Sequence, residues 1–135
     1  MKEIIAIVRM NKVNATKKAL IKAGAAGFTA SKVMGRGRLV EDKAIIAERR
    51  ATLLTLAQKD DATTDKMVTE FLDGTRLFPR RLFNVMAHDE DVPKIVAAII
   101  EANKTENKVG DGKIFVLPML DAVRVRTKES GDAAI

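Results

Sequence analysis

A chain of 135 residues, 47% hydrophobic and 31% charged, has room for one cored domain but not two. It has no cysteine and a single histidine, His88, which excludes disulfides, thiolate metal sites and cysteine nucleophiles and speaks against a histidine-rich metal site or a Ser-His triad. The net charge of +6 suits an anionic partner, and no apolar run is long enough to span a membrane or serve as a secretory segment, so a cytoplasmic protein without membrane insertion is expected.

The first predicted element is a short buried strand, Glu3 to Arg9, rich in Ile and Val. Asn14 is a good cap for a helix from Ala15 to Ala23, with Ala15, Ala19, Leu20 and Ala23 inward and Lys17, Lys18 and Lys22 outward. Gly24 suits the position just past that helix. Phe28 to Met34 reads as a second strand running into Gly35-Arg36-Gly37-Arg38.

Residues 39–78 form a long excursion. They hold six Lys/Arg against eight Asp/Glu, a net −2, so the remainder of the chain carries +8. Apolar residues in Ala44–Leu56 and Thr64–Leu72 allow two short amphipathic helices, either as an added cap or as an arm that docks on a partner. Arg80 to Ala87 reads as a third strand. Asp89 can cap a helix from Glu90 to Lys104, whose Val92, Ile95, Val96, Ile99 and Ile100 recur at helical spacing. Lys113 to Leu117 and Ala122 to Arg126 read as two further strands. The expected fold is α+β: a ferredoxin-like split βαβ, βαββαβ with an extra C-terminal strand, forming a single domain over 1–135 with the 39–78 excursion inside it.

Three basic-glycine elements could carry chemistry: Gly35–Arg38, Lys108–Lys113 and Arg124-Val125-Arg126. Glycine lets backbone N–H groups gather around an anion, and Lys and Arg supply charge and bidentate contacts to phosphate. Neither glycine loop is a Walker A. Singly, each also reads as a turn, a helix-to-strand loop or a solvated strand face. Arg124 and Arg126 are two apart, so on a strand they would share a face. Converging at one edge, the three elements would make a triphosphate-sized site. Aromatics are only 4%, which leaves little for base stacking and disfavours nucleic acid.

Val109-Gly110-Asp111-Gly112-Lys113-Ile114-Phe115-Val116, then Val123-Arg124-Val125-Arg126-Thr127 and Asp132-Ala133-Ala134-Ile135, resemble the PII signal-transduction family. The resemblance covers both ends and the middle of the chain and leaves out the excursion. It implies a ferredoxin-like trimer with nucleotide sites between subunits, binding ATP or ADP, and 2-oxoglutarate beside Mg-ATP. It also implies a non-enzymatic protein that docks a long T-loop on a target.

By motif, Thr29 resembles the family's adenine-side threonine, and Gly37 and Arg38 begin the T-loop and touch nucleotide. Gly110, Asp111, Gly112 and Lys113 are similar to the B-loop, with Gly112 and Lys113 on phosphates. Arg124 and Arg126 resemble the C-terminal phosphate arginines, whose site can cross a subunit boundary. Arg80 stands where the family has a lysine for 2-oxoglutarate.

Leu39 replaces the family's glutamine, a 2-oxoglutarate and magnesium contact, and leucine cannot ligate a metal. With no tyrosine the loop cannot be uridylylated. The long excursion and the strand end Val8-Arg9-Met10-Asn11-Lys12 look most like the nitrogenase-associated branch, second subtype. That branch implies dinitrogenase as the target and a homotrimer or a mixed oligomer with a sister subunit. The alternatives are a generic PII regulator of an ammonium transporter or other enzyme, a basic ferredoxin-like RNA-binding module, and a weak ATPase for which no general base is evident.

Overall fold

The computed structural model describes residues 1–37, 77–106 and 110–135, with positions 47, 51, 55, 66, 69 and 70 between them. Of the two helices expected in the excursion, only positions 47, 51 and 55 and positions 66, 69 and 70 are described, and these are helical; the rest, with Arg38 and Leu39, lie outside the described residues. The chain divides into two compact units, residues 1–33 with 79–135, and residues 34–78.

The first unit is built on β1 (Lys2–Arg9), α1 (Val13–Lys22), β2 (Phe28–Gly35), β3 (Phe78–Ala87), α2 (Val92–Asn103) and β4 (Lys113–Pro118). The strand order is β2-β3-β1-β4, and β1 runs antiparallel to both neighbours. This is the ferredoxin-like order that the alternation of elements predicts. β1 and β3 take the two interior positions, and each buries alternate residues: in β1, Ile4, Ala6 and Val8 point into the core while Glu3, Ile5 and Ile7 face the other way. Register sets Ile4 against Val85 and Ala6 against Phe83, so one apolar stripe crosses the sheet under the helices. Phe28 of β2 closes that stripe, its ring meeting Phe83 edge-on at 5.8 Å.

Each helix departs from the sequence reading by two positions at its start and one at its end. α1 starts at Val13 after a 3-10 turn over Met10–Lys12, and no side chain caps it. Its buried residues are Thr16, Leu20 and Ala23, while Ala15 is exposed. Thr16 takes a core position because its hydroxyl is satisfied: it donates to Lys12 O at 2.9 Å and accepts from Asn103 Nδ2 at 2.9 Å. The end of α1 follows the Schellman pattern, with Gly24 at φ 79°, Gly24 N donating to Ile21 O and Ala25 N donating to Leu20 O. α2 begins at Val92, with Pro93 in its first turn. Asp89 does not cap it; its carboxylate lies 3.0 Å from the Met1 amine. Ile95 and Ile99 are buried as the periodicity predicts, and Asn103 extends the stripe where an apolar residue would be expected.

The extra C-terminal strand is a correction. Residues 122–126 make one isolated bridge, Val123 to Ser130, around a tight turn in which Lys128 has φ 61°. The backbone groups here pair locally: Arg124 N with Glu129 O at 2.9 Å, Lys128 N with Arg124 O at 2.8 Å, and Gly131 N with Asp121 Oδ1 at 2.9 Å. A strand needs a neighbouring ladder, and within this segment a compact loop meets the same demand. The segment ends in a 3-10 turn, Gly131–Ala134.

Candidate functional site

The glycine loop connects the end of α2 to the start of β4. The β1–β4 ladder stops at Ile7 opposite Lys113, so Gly112 and Asp111 run on beside Val8 and Arg9. Gly112 has φ 112°, and a Cβ there would overlap the Ile7 carbonyl oxygen. Gly110 has φ 99°, and a Cβ there would stand 2.8 Å from Arg9 Nη2. Gly112 therefore requires glycine for conformation and for space, and Gly110 for conformation, since a Cβ there would push aside only the end of the Arg9 side chain. The result is a loop whose backbone is bare of side chains at two of three consecutive residues, which is the surface a phosphate group needs. Val109 lies outside the described residues.

Asp111 turns inward to the loop's own supports. Its Oδ1 accepts from Thr105 Oγ1 at 2.6 Å, and its Oδ2 accepts from Thr105 N at 2.8 Å. Arg9 Nη2 is 3.4 Å from Oδ1. The two bonds from Thr105, aided by the charges of Arg9 and Lys12, hold its carboxyl below the ordinary aspartate range. The negative charge is thus engaged by the scaffold. Lys113 heads β4 and is exposed; alternation with Ile114, which packs against the core, sets it on the helix-free face.

Sequence reasoning missed Arg9. The sequence reading places it at the end of the first strand, within Val8–Lys12, and gives it no part in the site. Its Nε donates to Gly110 O at 2.7 Å, across 101 residues of chain. The one available signal was a guanidinium at the end of a buried strand. Arg80 is the cross-strand partner of Arg9, which brings it beside the loop's support; its Nη1 donates to Pro79 O at 3.2 Å.

The other sequence-derived residues stand elsewhere. Thr29 is exposed on β2, the sheet edge opposite β4. At about 4.8 Å per strand spacing, the two edges are about 14 Å apart. Gly37 follows β2 in the second unit and is exposed, and Arg38 lies outside the described residues. Arg124 is held by Glu129, Nη1 to Oε2 at 2.7 Å, and Arg126 sits exposed in the turn that replaces the expected strand. Their segment packs at the start of β1: Met119 N donates to Met1 O at 3.4 Å, and Asp132 Oδ1 is 3.5 Å from His88 Nδ1. The glycine loop packs at the other end of β1, by Arg9. At about 3.3 Å per residue those ends are about 23 Å apart. Within one chain, then, the arginine pair and the glycine loop do not converge, which corrects the expectation of one shared edge.

Among the described residues, no group of three or more His, Asp or Glu side chains could hold a metal ion, and no helix is long and apolar enough to cross a membrane.

The fold and the glycine loop define an α+β protein of ferredoxin-like topology with a candidate anion-binding loop at the head of its edge strand. Residues 1–129 match the model of the family described as "Nitrogen regulatory protein P-II", and the chain belongs to that family. It is similar over its whole length to two proteins called "Nitrogen fixation nifHD region GlnB-like protein 2". One, from Methanobacterium ivanovii, is 45% identical with 99% of its length covered. The other, from Methanococcus maripaludis, is 39% identical with all of its length covered. A "Nitrogen regulatory protein P-II 2" from Methanothermobacter thermautotrophicus is 35% identical, with all of this chain and 97% of that one aligned. Proteins of this family are regulators, not enzymes. The names of the relatives associate the chain with regulation in nitrogen fixation.

Proposed function

We propose that this chain is a cytoplasmic nucleotide sensor that regulates nitrogen fixation. ATP or ADP binds on Gly110, Gly112 and Lys113 of one copy and on Thr29, Arg124 and Arg126 of a neighbouring copy, with Gly37 and Arg38 leading into the 39–78 loop. The observation that carries this reading is the glycine loop itself, with two positive-φ glycines, a carboxylate directed away into the scaffold and Lys113 immediately after. Asp111 belongs to the site as the residue that shapes it. The separation of the loop from Thr29 and from the arginine pair supports a site completed by a second copy. A head-to-tail contact of that kind closes into a ring, consistent with a homotrimer or a mixed oligomer with a sister subunit.

Nucleotide occupancy then biases the 39–78 loop between two arrangements, and a target reads the loop. A coupling of about 1–3 kcal/mol is enough for an effective switch. The nitrogen-fixation names of the relatives favour dinitrogenase as that target. Arg80, beside Arg9, is the candidate for 2-oxoglutarate; the leucine at position 39 offers magnesium no ligand.

Calorimetry with Mg-ATP on the wild type and Lys113→Ala tests the nucleotide reading. Binding by the first and strong loss in the second is expected; no binding by folded wild type defeats it. A pull-down from nitrogen-fixing cell extract, with and without 2-oxoglutarate, tests the target. Recovery of no nitrogenase component under any effector condition counts against dinitrogenase.

A further inference from the structure

We propose that Arg9 is the positioning residue of the glycine loop, gripping the Gly110 carbonyl and the Asp111 carboxylate with one guanidinium so that the backbone keeps its phosphate-accepting shape. This rests on the nucleotide reading above and adds a residue from outside the loop to it.

Among the described residues the loop has two anchors. Asp111 ties it to the end of α2 through both bonds from Thr105. Arg9 ties it to β1, through Nε to Gly110 O at 2.7 Å and Nη2 to Asp111 Oδ1 at 3.4 Å. The two contacts come from adjacent nitrogens of one planar group, so they constrain the orientation of Gly110 and Asp111 together. A lysine ammonium carries the charge but lacks the rigid fork.

The glycine and the arginine are matched in shape. The space left by the missing Cβ of Gly110 is where Arg9 Nη2 lies, 2.8 Å from where that Cβ would be. Alanine at 110 would therefore be strained at φ 99° and would displace the guanidinium as well. Charge balance points the same way. Register sets Arg9 opposite Arg80, and like charges directly opposite are unfavourable in a sheet. The Asp111 carboxylate on Arg9 offsets that repulsion. Arg9 acts on the loop, and through the loop on the ligand.

The competing explanation is that Arg9 merely adds positive charge near phosphate. Arg9→Lys separates the two. Backbone order parameters at Gly110–Gly112 and calorimetric Mg-ATP affinity would be measured for wild type, Arg9→Lys, Arg9→Ala and Asp111→Asn. The wild-type loop should be rigid, near about 0.85, and should fall below about 0.6 in both Arg9 variants, with β1 and α2 unchanged. ATP affinity should drop about tenfold or more in both, about 1.4 kcal/mol. The Arg9→Ala/Asp111→Asn double variant should lose less than the sum of the singles. Wild-type affinity and loop order in Arg9→Lys would overturn the proposal, as would strict additivity in the cycle. If Arg9→Ala fails to fold, Arg9→Lys and Asp111→Asn still decide it. If wild type binds no nucleotide, the nucleotide reading falls, and the order parameters alone decide whether Arg9 holds the loop.

Discussion

Gly112 crosses β1 so closely that a Cβ on it would overlap the carbonyl oxygen of Ile7. Backbone cannot yield there, because Ile7 is in the β1–β4 ladder opposite Lys113. Gly112→Ala should cost about 2–4 kcal/mol in denaturant unfolding, through strain and overpacking together. Gly27 is the control. A Cβ there meets nothing within 4 Å, so Gly27→Ala should change stability by less than about 1 kcal/mol.

The polar pair Thr16 and Asn103 joins the two helices in the core. Thr16→Val removes the acceptor of Asn103 Nδ2, which keeps only its bond to Ile99 O at 2.9 Å. A loss of about 1–2 kcal/mol is expected, seen as a lower denaturant midpoint with an unchanged slope. Nucleotide affinity should not change.

The lowered pKa of Asp111 makes a signed pH prediction. Its folded value lies below its unfolded value, so its contribution is complete above the unfolded value, near pH 4, and is lost as pH falls through the folded value. Wild type and Asp111→Asn should therefore differ in stability by a constant amount above about pH 5 and converge in acid. A difference that grows as pH falls would contradict the assignment.

A site shared between copies can be reassembled from two broken ones. Lys113→Ala damages the loop half, and Arg126→Ala damages the half proposed to come from the neighbour. Each alone should bind Mg-ATP poorly. After co-refolding in equal amounts, about one quarter of the sites in a ring should carry both intact halves and bind as wild type does. No recovery in verified mixed oligomers would mean that both residues act in one chain.

Much of the fold was legible because its signals are local. The short Ile- and Val-rich run in Glu3–Arg9, the helical spacing of Ile95 and Ile99, and Gly24 after α1 each reflect a few neighbouring residues. Thr16 and Asn103 were not legible as core residues, because the bond that joins them links positions 87 residues apart in the chain. Asp89 resembled a cap, and only the folded chain brings it to the Met1 amine. Residues 122–126 have the apolar alternation of a strand, but alternation says nothing about whether a partner ladder is present.

The sequence by itself determined the four strands and two helices of the first unit, their order and the family, and it singled out the glycine loop, because glycine spacing and hydrophobic period are written into short stretches of chain. The tertiary structure decided where those pieces stand. It set Arg9 against Gly110 across 101 residues, and it put the arginine pair at the opposite end of β1 from the loop it was expected to join. Both outcomes depend on the β1–β4 register and on where β1 ends, which are settled by the burial of Ile4, Ala6 and Val8 across the whole sheet.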